Sequence, residues 1–267
     1  MRNTSIKICS LALFCGIFGA FLRCLQIMMT LDTETGLVAP LKPISFIFLL
    51  YIAVNAVAAM FALRSLKIKE APTTYPKCIS AGGNIFSLGA KIIGVIMGLG
   101  GAASVVTSIV SRDLFQLISG ILALATAPAV GSFLGSAAKH GAKKRGRFCA
   151  TFVTVFICFC LISAYKFSSS DPVLWNFAPR LIAIAVLLLS SYYISGFTYV
   201  EGKTIPALYS SLMGGFLGLS TMTESYGIGA HLIILALSLY SLLFAYGLIC
   251  SCKESGENDF DSESTAE

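Results

Sequence analysis

Charge is what this chain has least of. Only 12% of its 267 residues are Asp, Glu, Lys or Arg, about half the roughly 25% of an ordinary soluble domain. With 56% hydrophobic residues and a mean hydropathy of +0.83, that shortage excludes a water-soluble fold, because a soluble core of this size cannot hide so much apolar surface. Histidine occurs twice and no C-x-x-C pair accompanies it, so neither a metal nor a redox centre is expected. The nine cysteines fall within apolar runs or in segments expected in the cytoplasm, where a free thiol is a small hydrophobe. No H-E-x-x-H, G-x-S-x-G or Walker A loop is present, so neither an enzymatic activity nor a cofactor is expected. The glycines of GLGGAAS, residues 98 to 104, come without a lysine and inside an apolar run, which makes them a packing face.

What the chain has in abundance is long apolar runs. Eight are long enough to cross a hydrocarbon core of about 30 Å, which takes about 20 residues: roughly 6–29, 43–63, 85–110, 114–138, 148–165, 181–199, 205–225 and 228–250. Backbone groups in lipid need internal partners, so each run predicts a helix. The expected fold is all-α, one polytopic bundle over residues 1–252 followed by an acidic tail, residues 253–267, too polar to fold. The first run has a basic leader, MRNTSIK, but no A-x-A site follows it, so it is read as a retained span. The third run is open at its start: either Ile92–Val110 spans alone and AGGNIFSLGA is a surface or re-entrant segment, or the helix begins before Lys91.

Orientation follows from the basic residues, which concentrate in cytoplasmic loops. With the N-terminus inside, the inner segments hold thirteen lysines and arginines and the outer ones only Lys42, Arg112, Lys166 and Arg180. Both termini are therefore expected in the cytoplasm. The net charge of +6 reflects this topology, and no nucleic-acid partner is expected; the bilayer itself is the obligate one. The basic loop KHGAKKRGR, residues 139 to 147, is an ordinary positive-inside connection.

Glycines spaced as G-x-x-x-G, namely Gly94 with Gly98, Gly131 with Gly135 and Gly214 with Gly218, and the variant Gly16 with Ala20, mark faces where helices approach closely. Pro128 should kink the fourth helix and free a carbonyl for Thr126, a neighbour or water. Asn55, in the second span, is expected either to hydrogen-bond across helices, the favoured reading, or to line a path.

Polar residues at one depth are the functional clue. Arg23 lies about 9 Å before the outer end of the first helix, at 1.5 Å per residue, with Gln26 on the same face. Glu224 falls near the outer end of the seventh helix, His231 opens the eighth and Arg180 opens the sixth. Intramembrane charge is costly, about 2.5 to 3.5 kcal/mol at a helix centre, and marks a site by default. Two readings stay open. The arginines could snorkel to lipid phosphates, with Glu224 pairing one of them. Alternatively, Arg23, Gln26 and Arg180 could attract a small anionic or zwitterionic solute in an outward-open pocket where Glu224 and His231 titrate.

Arg23, Gln26, Asp32, Thr35, Gly36 and Leu37 together form R-x-x-Q followed by D-x-x-T-G-L. This run resembles the opening of uncharacterised multi-span membrane proteins of anaerobic Gram-positive bacteria. The resemblance implies a bacterial plasma membrane and carries no activity. The expected function is solute binding or transport; the competing expectation is a non-transporting scaffold or sensor whose acidic tail meets a cytoplasmic protein partner.

Overall fold

The computed structural model describes residues 2–30, 43–65, 68–70, 83–136, 143–168, 174–199, 202–223 and 227–254. They form eight helices: α1 (Arg2–Thr30), α2 (Pro43–Ser65), α3 (Gly83–Ser111), α4 (Leu114–Ser136), α5 (Lys143–Ser168), α6 (Leu174–Tyr199), α7 (Thr204–Ser220) and α8 (Ile228–Ser251). A short ribbon joins β1 (Ile68–Glu70) to β2 (Lys253–Glu254) in antiparallel register, Ile68 facing Glu254. Seven of the helices are long and apolar enough to cross a membrane. The protein is a multi-span membrane protein by that measure. The exception is α7, whose 17 residues reach only about 26 Å.

The helix surfaces agree with lipid. Phe14, Leu50, Val110 and Phe148 are each more than 60% exposed, a pattern that water would penalise and acyl chains reward. Lys91 lies inside the continuous α3 with its side chain exposed, so of the two alternatives for the third run the longer helix is observed.

The helices alternate in direction. Ser5 Oγ sits 2.9 Å from Cys250 Sγ, and Arg147 Nε donates to the Thr198 carbonyl at 2.8 Å. The start of α1 and of α5 therefore share one end of the bundle with the finish of α6 and α8, and the β ribbon ties the finish of α2 to the same end. This basic end carries Lys7, Arg64 and Arg147; Arg23, Arg180 and His231 belong to the opposite end.

Six helices close a ring. α3 packs on α4, α4 on α5, α5 on α6, α6 on α7, α7 on α8, and α8 returns to α3. α1 lies outside against α7 and α8, and α2 is outermost, with only Ser45, Phe48 and Leu63 buried. Small residues set the close contacts. A Cβ on Gly94 would lie 3.2 Å from the Ala127 carbonyl, and one on Gly101 only 2.8 Å from the Leu124 amide, so the expected glycine face of α3 is the seam with α4. Gly214 abuts Leu187 of α6, Gly218 abuts Ser238 of α8, and Gly16 abuts Leu219 of α7. Of these expected pairs, the side-chain surroundings of Gly135 lie outside the described residues.

Pro128 sits within an unbroken α4, and Thr126 Oγ1 donates to the Leu122 carbonyl at 2.6 Å. That is not the carbonyl Pro128 frees, which is four residues back at Leu124. Asn55 Nδ2 donates to the Tyr51 carbonyl of its own helix at 2.8 Å, where a bond across helices was expected; the link from α2 to α1 is made instead by Tyr51 Oη, donating to the Cys15 carbonyl.

Between α3 and α4 the chain turns on two residues. Asp113 Oδ1 accepts from the Phe115 amide at 3.0 Å, capping α4. Arg112 adopts φ +56°, a left-handed conformation that costs a residue with a Cβ roughly 1–2 kcal/mol. Arg112→Gly should therefore raise thermal stability by about 0.5–1 kcal/mol, read as a higher unfolding midpoint in detergent.

Candidate functional site

The ring is filled at one end and hollow at the other. Toward the basic end, Phe133, Phe156, Phe197, Tyr240 and Phe244 are all at most 2% exposed. Their rings pack at centroid distances such as 6.3 Å for Phe133 with Tyr240 and 5.8 Å for Phe197 with Phe244. Toward the opposite end, α3, α4, α5, α6 and α8 surround a cavity of about 230 Å³.

Its walls are layered. Nearest the bundle end stand Gln116, Phe167 and Gly227; below them Ser119, Ser163 and Arg180; and at the floor Ile184, Ile234 and Leu237. The layering follows from helix direction, because α4, α6 and α8 descend from this end while α5 climbs to it. Arg180 is only 9% exposed although it carries a full charge. Ser163 is 8% exposed, and its Oγ has no hydrogen-bond partner among the described residues. A buried hydroxyl without a partner costs about 1–3 kcal/mol.

Other polar groups around the cavity are already oriented. Gln116 Nε2 donates to Thr107 Oγ1 at 3.0 Å, and Ser119 Oγ donates to the Gln116 carbonyl at 2.9 Å. At the rim, Lys166 Nζ stands 3.4 Å from the Phe115 ring centroid, a cation–π contact that holds a second positive charge beside Phe167 and Gln116. Among the described residues no acidic side chain lines the cavity. Among the described residues, Arg180 in the upper wall and Lys166 at the rim bring positive charge to this end, and Ile184, Ile234 and Leu237 make the floor apolar.

Arg23 and Gln26 form a separate cluster on α1. Arg23 Nη1 donates to Gln26 Oε1 at 2.9 Å, Gln26 Nε2 donates to Ser45 Oγ of α2 at 3.0 Å, and the guanidinium lies 5.6 Å from the Phe48 ring centroid. Both residues are at most 3% exposed. The charge is therefore turned into protein and not toward lipid phosphates, and it gathers two of the three buried residues of the otherwise peripheral α2.

The structure brings Arg23, Gln26, Arg180 and His231 to one end of the bundle, but only Arg180 lines the cavity. His231 begins one residue after the lining Ala230, and its Nδ1 lies 3.2 Å from the Gly227 carbonyl. Glu224 lies outside the described residues, as do the segment Asp32–Leu37 and the acidic tail beyond Glu254. Sequence reasoning missed Ser104, Gln116, Ser119 and Ser163 because single serines in apolar runs are common and only convergence makes them a site. It also missed a serine contact at mid-depth, where Ser190 Oγ of α6 meets Ser211 Oγ of α7 at 3.0 Å and Ser241 Oγ of α8 at 3.4 Å.

Among the described residues no three His, Cys, Asp or Glu side chains cluster as metal ligands. Cys252, just past α8, has its thiol pushed up to about 11 by burial and by nearby Cys250, so it stays protonated near neutral pH. Comparison with protein-family models, curated proteins and solved structures finds no match for this chain.

Proposed function

We propose that this protein is a non-enzymatic membrane protein of the bacterial plasma membrane that binds a small solute in the cavity and passes it across the bilayer. The observation that carries the reading is a cavity enclosed by five helices, with a buried guanidinium in its wall, above an aromatic seal. A site open on one side and closed on the other is what alternating access requires of one of its states. The basic-residue bias supports the cavity end as the outer side and both termini as cytoplasmic. Arg180 and Lys166 favour an anionic group on the solute, although a zwitterion also supplies one.

A second reading, a rigid scaffold or sensor, draws on the tight glycine contacts between α6, α7 and α8. The two differ in flux. Liposomes reconstituted with the protein and loaded in turn with benzenesulfonate, methanesulfonate, phosphate, alanine or glucose should lose at least one of them faster than empty liposomes. Ala164→Trp, which fills the cavity from α5, should abolish the gain. Equal leakage for every probe would favour the scaffold.

A further inference from the structure

A second hollow lies away from the cavity, on the flank where α1 and α2 lean on α7. We infer that it holds one acyl chain of an inner-leaflet phospholipid, whose phosphate sits between Lys7 and Arg64. The floor is made by Leu212, Met213 and Phe216 of α7, all at most 6% exposed. The walls are one face of α1 from Ile8 to Cys15 and one face of α2 from Asn55 to Ala62, each contributing residues at i, i+3, i+4 and i+7. These walls are open where the floor is closed: Leu11 is 61% exposed, and Ala58 is exposed as well. The hollow therefore opens sideways, between α1 and α2, into the bilayer.

Tyr51 accounts for the gap. Its Oη donates to the Cys15 carbonyl at 2.8 Å, and its ring is held 5.6 Å from the Phe18 centroid and 5.8 Å from that of Phe216. Alanines usually let helices meet closely, but inward of this wedge Ala12, Ala59 and Ala62 are too short to bridge the space that the ring leaves. An empty hollow forfeits the dispersion contacts of its lining. Water fills it poorly, because a trapped water needs two to four polar partners and the amide of Asn55 already donates to the Tyr51 carbonyl. The volume of about 90 Å³ is well below the roughly 150 Å³ that holds a benzene molecule. A slender chain fits where a ring does not.

The head group follows from the ends of the two walls. Lys7 immediately precedes the lining Ile8, Arg64 follows the lining Ala62 by two residues, and both side chains are exposed. A lipid whose tail enters from this side brings its phosphate to their level. Acids share the side, Glu70 and Glu254 on the ribbon and those of the tail among them. Counted over the whole sequence, tail included, the segments expected there hold thirteen Lys or Arg against eight Asp or Glu. That balance favours an anionic head group over a zwitterionic one.

The test uses the full chain in phosphatidylcholine nanodiscs doped with phosphatidylglycerol that carries a diazirine at mid-chain; after irradiation, labelled residues are identified by mass spectrometry. Lipid that merely surrounds the bundle labels exposed positions such as Val110, whereas only a seated chain reaches Leu212, Met213 or Phe216. Label is expected at both. Unlabelled phosphatidylglycerol should displace the α7 label at least about three-fold more effectively than added phosphatidylcholine, with no such difference at Val110. Ala59→Phe, which fills the hollow from α2, should remove the α7 label and spare Val110. Lys7→Gln combined with Arg64→Gln should erase the head-group preference and keep the label. The comparison of lipids and positions needs no variant, so it stands if Ala59→Phe does not fold. Label at Val110 with none on α7 means that another segment or a second copy covers the hollow, and overturns the proposal. Equal displacement by the two lipids overturns the anionic head group.

Discussion

Gly229→Leu is expected to leave almost no folded protein. A Cβ at Gly229 would lie 2.5 Å from the Ser104 amide nitrogen and 2.9 Å from the Gly100 carbonyl, both backbone atoms of α3 that no rotamer change can move. The contact is reciprocal, because a Cβ on Gly100 would sit 2.9 Å from Leu232 Cβ and 3.0 Å from the Ile233 amide of α8. Glycine on both sides lets these helices touch backbone to backbone, and α8 closes the ring only through this seam and its contact with α7. Overpacking a well-filled interior costs about 1–3 kcal/mol and sometimes more; here the leucine must push α3 and α8 apart bodily, so about 3 kcal/mol or more is expected. The readout is the fraction of protein eluting as a single species in detergent and its unfolding midpoint. Gly196→Leu is the control, since nothing lies within 4 Å of a Cβ there, and it should behave as the unaltered protein.

The second large effect is functional. Arg180→Gln should reduce protein-dependent release of the transported probe by at least ten-fold, corresponding to the loss of hydrogen bonds to a charged group at about 1.5–3 kcal/mol. Arg180→Lys should fall between, because lysine keeps the charge but loses the planar fork that grips an acidic group at two points. The unfolding midpoint without ligand is the necessary companion measurement. A positioning charge that serves only the fold would lower it sharply in both variants, whereas a ligand-binding charge gives a large loss of flux with a small change in stability. Unchanged flux in Arg180→Gln would remove the cavity from the mechanism.

Most of the architecture was legible in the sequence because lipid imposes one requirement everywhere. Each apolar run became a helix, and boundaries differ mainly where flanking residues extend the helix, as at Lys143 and Leu174. The spacing of Gly94 and Gly98 announced a close helix contact, which the fold makes with α4. The packing face expected of GLGGAAS is made by Gly100 against α8 and by Gly101 against α4; which helices meet there, and the seams at Gly120 and Gly229, were not foreseen, since hydropathy does not encode neighbours. For the same reason nothing distinguished α7 and α8, at the centre, from α2 at the edge. Arg23 and Arg180 drew attention for one shared property, charge in an apolar setting, yet the fold gives them different work: Arg23 gathers α2 onto α1, while Arg180 lines a cavity. Burial and partners separate them, and both are three-dimensional facts.

The proposed function requires that the cavity open on the outer side and be sealed from the inner one. Ser163→Cys places a thiol in its upper wall, where membrane-impermeant thiol reagents can report on access in right-side-out vesicles, with the modified peptide identified by mass spectrometry. The account predicts that a sulfonate-bearing reagent added outside modifies this thiol faster than a trimethylammonium-bearing one, and that benzoate slows the reaction. Modification only from the inner side, or faster reaction with the cationic reagent, would contradict it.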